Sequence, residues 1–184
     1  MSVFKDFILE EKVEFETIEK YRNELPQELI SVWEEYGFGS FMNGYLRIIN
    51  PNEYLDIVQE GYICSGVESA IPVLLTSFGD IFIWENNKYL NRLNFKRGRL
   101  DVVLRGMRHF FSLLEDKEFV KDELDMSVYY KAIEKLGIPR YNDCFGFVPL
   151  LALGGKETVD SLDIVKIKEH ILIILALVGP IVID

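Results

Sequence analysis

The chain has 184 residues, 49% of them hydrophobic, 13% aromatic and 27% charged, with a net charge of −10. This length is enough for one domain with a sizeable core, and the balance excludes a disordered chain. The acidic excess argues against unaided binding to DNA or to an anionic membrane surface, and it suits a basic partner.

The charge is unevenly placed. Met1–Glu60 holds thirteen Asp/Glu against five Lys/Arg, a net of −8, whereas Asn86–Arg108 holds seven Lys/Arg and one acid, Asp101, a net of +6. The basic run reads as a solvated hairpin face, with a local anion or partner contact as the sharper alternative. Cys64 and Cys144 are too far apart for a metal-site spacing and too few for a disulfide framework, which predicts a reduced, cytoplasmic chain. The start, MSVFKDFILEEK, lacks the basic region and long apolar run of a signal peptide.

In chain order, Glu14–Glu24 reads as an acidic helix with Ile18, Tyr21 and Leu25 at helical spacing. A second helix follows from Pro26 to Tyr36, with Leu29, Ile30, Trp33 and Tyr36 as its apolar stripe and Gly37 as its stop. Phe38–Gly44 is predicted to be a turn, Tyr45–Ile49 a short strand and Glu53–Gln59 a short helix after the break Asn50-Pro51-Asn52. The middle is a meander: Ile71–Phe78, Ile81–Glu85, a hairpin tip at Asn86-Asn87, Lys88–Asn94 and Leu100–Leu104. Helices are expected at Met107–Leu114 and Met126–Leu136, a short segment at Phe119–Leu124, and a last helix from Asp160 or Ser161 to Val178. Between them, Cys144–Leu153 is apolar and aromatic. The run Ile171–Ile183 is the most apolar of the chain, but it is shorter than the roughly 20 residues of a bilayer span and is broken by Gly179-Pro180. The fold class is therefore α+β, an antiparallel β meander flanked by N-terminal helices and a helical C-terminal third. Residues 1–105 and 106–184 are expected as two parts of one unit.

No catalytic constellation emerges. Gly37-Phe38-Gly39 begins like a dinucleotide fingerprint, but it follows a helix instead of a strand, which is the wrong order for a phosphate cradle. His109 and His170 are isolated in predicted helices, Ser40 has no evident base, and Asp80 and Glu85 are explained by turns. No metal and no cofactor are predicted. The aromatic cluster around Phe38 and Phe41 reads as core, or as partner-binding anchors beside the glycines.

Several stretches carry a resemblance. LPQELISVWEEYGFGSFMNGYLRIINPNEY, with Leu25-Pro26, Trp33, Tyr36-Gly37-Phe38-Gly39, Asn50-Pro51 and Tyr54, resembles the opening of the GAD-like proteins. Thr76, Phe78-Gly79-Asp80 and Trp84 resemble that family's TxFGD(x)3W stretch. Phe145-Gly146-Phe147-Val148-Pro149, Leu151–Gly155, Val165, Lys166 and His170 resemble the C-terminal domain of type VI secretion immunity proteins. A more distant similarity is to the fungal cell-wall-regulator-like superfamily. The resemblance implies a cytoplasmic antitoxin that binds a cognate secreted toxin, in the best-known branch a DNA-degrading one. Such a toxin would be a basic protein, with no direct nucleic-acid or membrane contact by this chain. Glu34, Glu35 and Glu53 are then the candidate steering residues, and Phe38 and Phe41 the candidate anchors. A small-ligand or regulatory module, with a pocket at the sheet and glycine turn, is the alternative.

Overall fold

The computed structural model describes residues 2–183. The elements are β1 (Ile8–Glu11), α1 (Phe15–Tyr21), α2 (Gln27–Tyr36), β2 (Phe38–Phe41), β3 (Leu46–Ile48), α3 (Leu55–Gly61), β4 (Tyr62–Cys64), β5 (Ala70–Thr76), β6 (Ile81–Glu85), β7 (Tyr89–Asn94) and β8 (Arg99–Arg105). They are followed by α4 (Phe110–Leu113), α5 (Lys117–Glu123), α6 (Met126–Leu136), β9 (Asp143–Phe147), β10 (Leu162–Lys166), α7 (Ile167–Val178) and β11 (Ile181–Ile183). The architecture is α+β.

Seven strands form one antiparallel sheet in the order β1-β2-β3-β5-β6-β7-β8. Its register sorts side chains into alternating rows, because successive residues of a strand point to opposite faces. One row runs Leu9, Gly39, Ile48, Leu74, Phe82, and the next runs Ile8, Ser40, Arg47, Leu75, Ile81. The first row's face is covered by α1, α2, α4 and α6, which contribute Tyr21, Trp33, Phe110 and Tyr129 to one core. The second is covered by α3, α7 and the parallel pair β4–β11, which add Val58, Ile171 and Ile181 to another. With both faces buried, the central strands β5 and β6 are apolar almost throughout, with no polar alternation.

α2 forms where the sequence predicts it. Pro26 stands just before its first turn, and its carbonyl accepts from the Leu29 and Ile30 amides. Gly37 ends the helix at φ +82°, its N–H donating to Trp33 O at 3.0 Å. The segment after it is a strand, contrary to the predicted turn. β2 is pulled into the sheet by β1, which runs so close that a Cβ on Gly39 would lie 2.3 Å from Ile8 O. The turn is confined to Met42–Gly44, all at positive φ, and its Met42 and Asn43 amides donate to the Asp6 carboxylate. The C-terminal third also departs from expectation. Leu162–Lys166 is not the first part of the last helix but a strand paired with Asp143–Phe147, and α7 begins at Ile167. Its β-branched Ile164 and Val165 suit a ladder better than a helix start. Met107–Leu114 shrinks to the single turn Phe110–Leu113, with His109 just before it.

The TxFGD turn is built from side-chain bonds. Thr76 Oγ1 accepts from the Phe78 and Asp80 amides at 3.2 and 3.1 Å. The buried Asp80 carboxylate accepts from Lys96 Nζ at 3.0 and 2.9 Å, and the same ammonium lies 3.4 Å from Asp125 and over the Phe78 ring. Glu85, the other carboxylate considered for acid–base work, accepts from Tyr62 OH at 2.6 Å. The two acids thus serve separate structural contacts. Cys144 is buried, and burial pushes its thiol up to about 12, so it stays protonated and inert.

Removing Asp80 leaves the buried Lys96 with only Asp125 nearby. Asp80→Ala is expected to cost about 3 kcal/mol of stability, measured by urea unfolding. A pH dependence follows from His170, which lies so close over Gly146 that a Cβ there would meet its Cε1 at 2.5 Å. Burial holds this imidazole below its ordinary range. The unfolded chain, titrating near the usual value of about 6.5, takes the proton more readily. Stability is therefore complete above that value and falls as pH drops from about 6.5 toward the depressed folded value. His170→Gln is expected to flatten this part of the profile of urea midpoint against pH.

Candidate protein-interaction site

The acid of the N-terminal third is gathered on β1, α1 and α2. Between Glu10 and Tyr36 there are nine Glu and three Lys/Arg, and every one of these acids except the half-buried Glu28 is exposed. Glu34 and Glu35 stand in the last turn of α2, at the negative end of the helix dipole, where a carboxylate costs a few tenths of a kcal/mol or more. Helix stability therefore does not account for them. Glu34 accepts from Arg22 Nη2 at 3.3 Å, and Arg22 Nε donates to Glu19 at 2.7 Å. These neighbours, Glu19 foremost, raise the Arg22 pKa. One cation shared by two carboxylates leaves the face strongly negative.

Glu34 and Glu35 line a groove of about 410 Å³ between β1 and α2, with Leu9, Lys12 and Ile18 as further wall residues and Trp33 beneath. Trp33 Nε1 is buried and has no hydrogen-bond partner among the described residues. On the other side of the sheet edge lies a cleft of about 590 Å³, lined by Ile8, Glu10 and Ser40 and walled by Ile138, Arg140 and Tyr141. Exposed apolar side chains accompany the acid. Ile8 is 65% and Leu9 49% exposed on β1, and Phe15, at the start of α1 between Glu14 and Glu16, is 68% exposed.

The candidate residues divide. Glu34 and Glu35 share the groove. Glu53 stands apart, in the 3-10 turn Pro51–Glu53, paired with Lys168 at 2.9 Å. Phe38 and Phe41 are 2% and 0% exposed and cannot anchor a partner. Phe38 meets Trp33 edge-on at 5.2 Å and Phe41 packs on Phe4 at 4.9 Å, and both rings belong to the core that α2 helps to build. Phe15 is the exposed aromatic of this region, and only its acidic neighbours mark it in the sequence. The position above Gly39 itself is filled, by Ile8 O and the Phe7 ring. In the basic run, Arg92, Lys96, Arg97 and Arg99 are all engaged by acids of the chain itself, which favours the structural reading of that run. α7 buries Ile167, His170, Ile171 and Ile174 and leaves Leu172, Ile173, Leu177 and Val178 exposed. Among the described residues no helix is long and apolar enough to cross a membrane.

Comparison with known proteins fits this arrangement. The GAD-like domain family matches residues 2–95, just over half of the chain, and the family described as T6SS immunity protein Tdi1, C-terminal, matches residues 104–178. The chain belongs to the GAD-like family, and its C-terminal part is similar to the Tdi1 immunity proteins' C-terminal domain. None of the curated proteins matches it. The crystal structure of Atu4351 from Agrobacterium tumefaciens superposes with a TM-score of 0.70 at 18% identity, over 93% of this chain and 86% of that one. At that identity the likeness is one of fold.

The contrast between the aromatics is directly measurable. Phe15→Ala is expected to change stability by less than about 0.5 kcal/mol, whereas Phe38→Ala is expected to cost about 3–5 kcal/mol. Chemical denaturation of the two variants checks both values.

Proposed function

We propose that this chain is a cytoplasmic immunity protein of a type VI secretion system, which binds a cognate secreted toxin and neutralises it without catalysis. The carrying observation is the coincidence of the Tdi1-type immunity match with an acidic face that holds exposed apolar side chains. An interface needs apolar area for affinity and complementary charge for fast, selective encounter. Glu34 and Glu35, set against their helix dipole, supply the charge; Leu9 and Phe15 supply the area. A nuclease toxin is the partner that suits this face best, because an enzyme acting on nucleic acid carries a basic groove and an acidic protein is drawn to the same potential as its substrate. Glu53, already paired with Lys168, contributes to the field and not to the groove.

Co-expression with a toxin found to be encoded by the adjacent gene is expected to restore growth and to yield a stable complex on purification. Glu34→Lys combined with Glu35→Lys is expected to slow association about tenfold or more at low salt, with the difference shrinking as salt is raised. Stopped-flow or surface-plasmon measurements read this. Absence of both rescue and complex with that toxin would sink the reading.

A further inference from the structure

The outer edge of β1 is open. The strand is the first of the seven-stranded sheet, pairs only with β2, and makes no backbone hydrogen bond on its other side to any described residue. An open edge offers a row of N–H and C=O groups to any strand that arrives. Here the two grooves described above flank it, one on each face of the sheet. Ile8 and Glu10 line the cleft on one side, and Leu9 lines the groove on the other. The arrangement matches what an added strand requires: backbone bonds along the edge, and a separate recess for the side chains on each of its two faces.

On the assumption that the chain binds a toxin as proposed above, we infer that β1 receives an extended segment of that partner as an eighth strand, with basic residues alternating with apolar ones. The basic positions fall on the groove side, where Glu34 and Glu35 stand on the wall and Glu11 lies opposite Phe38 at the end of α2. The apolar positions fall on the cleft side, beside Ile8, the half-exposed Ile138 and the Tyr141 ring. A second copy of this chain is a poor occupant. Pairing β1 with itself gathers four exposed glutamates, Glu10 and Glu11 of each copy, along one short ladder and brings two acidic faces together, and like charges crowded in this way are destabilising. The register shift between Leu9 and Glu11, a bulge, further restricts which strands fit. The edge is therefore guarded against its own kind and open to a cationic strand.

Amide hydrogen exchange on the whole chain tests this, free and in complex with an inactivated form of the toxin encoded beside it. The amides of Ile8–Glu11 are expected to exchange at least tenfold more slowly in the complex. An acetylated ten-residue peptide of alternating lysine and valine is expected to slow the same amides at high concentration, and one of alternating glutamate and valine is not. Leu9→Arg, at an exposed position that leaves the fold intact, is expected to weaken the toxin complex at least tenfold. A complex that forms while Ile8–Glu11 exchange at their free rate overturns strand addition and leaves the immunity function standing, as does equal protection by both peptides. Absence of any complex overturns the functional reading and this inference with it.

Discussion

The structure turns on a charge buried without a counter-charge among the described residues. Arg47 projects from β3 into the second sheet face and is 0% exposed. Its Nη1 donates to Asp143 O at 2.6 Å and its Nη2 to Ser77 Oγ at 3.4 Å, while Nε has no partner among the described residues. Burial lowers the pKa of this guanidinium, and desolvating a cation costs several kcal/mol that only good hydrogen bonds offset. Ser77 completes the knot. Its N–H and hydroxyl donate to Tyr45 O and Gly44 O, and its carbonyl accepts from Phe145 N–H. Three segments distant in sequence, the β2–β3 hairpin, the TxFGD turn and the β9 strand, are fixed at one point. Tyr129 OH to Asn43 O and Tyr141 OH to Ile48 O add two further links between the segments matched by the two families.

That fixed point determines the surroundings of the sheet edge. Because Arg47 holds Asp143, the loop before β9 is set beside Ser40 and Ile8 and becomes the wall of the cleft on that side. Because Trp33 and Phe38 pack edge-on, the end of α2 is held against β1 and carries Glu34 and Glu35 to the other side. Neither groove is a product of one element. Each is a gap between parts that buried contacts have already positioned, which is why an acidic face can coexist with an unpaired strand edge.

The face also shows where stability and binding part company. The buried acids Asp80 and Glu85 are matched to Lys96 and Tyr62 and serve the fold. The exposed glutamates of β1, α1 and α2 are matched thinly, and two of them oppose a helix dipole. Apolar residues follow the same division, with Phe38 and Phe41 in the core and Phe15 outside. The proposed function calls for unmatched charge and a little apolar area on the surface, and this chain places both together.

Local patterns determined much of the molecule. α2 and α6 were legible because an apolar stripe at helical spacing ends in a glycine, and the meander from Ile71 to Leu104 because β-rich runs are divided by Gly79-Asp80 and Asn86-Asn87. The family resemblance was legible for the same reason, since its glycines and aromatics mark turns and core. Of the candidate site, the acid excess and the surface positions of Glu34 and Glu35 on α2 were legible. The strand β1, the strand character of Phe38–Phe41 and the β9–β10 hairpin could not, because a short strand acquires its identity from a partner far away in sequence. Exposure was equally hidden: Phe15 lies between two glutamates and Phe38 between two glycines, but only tertiary packing made Phe38 a core residue and left Phe15 on the surface.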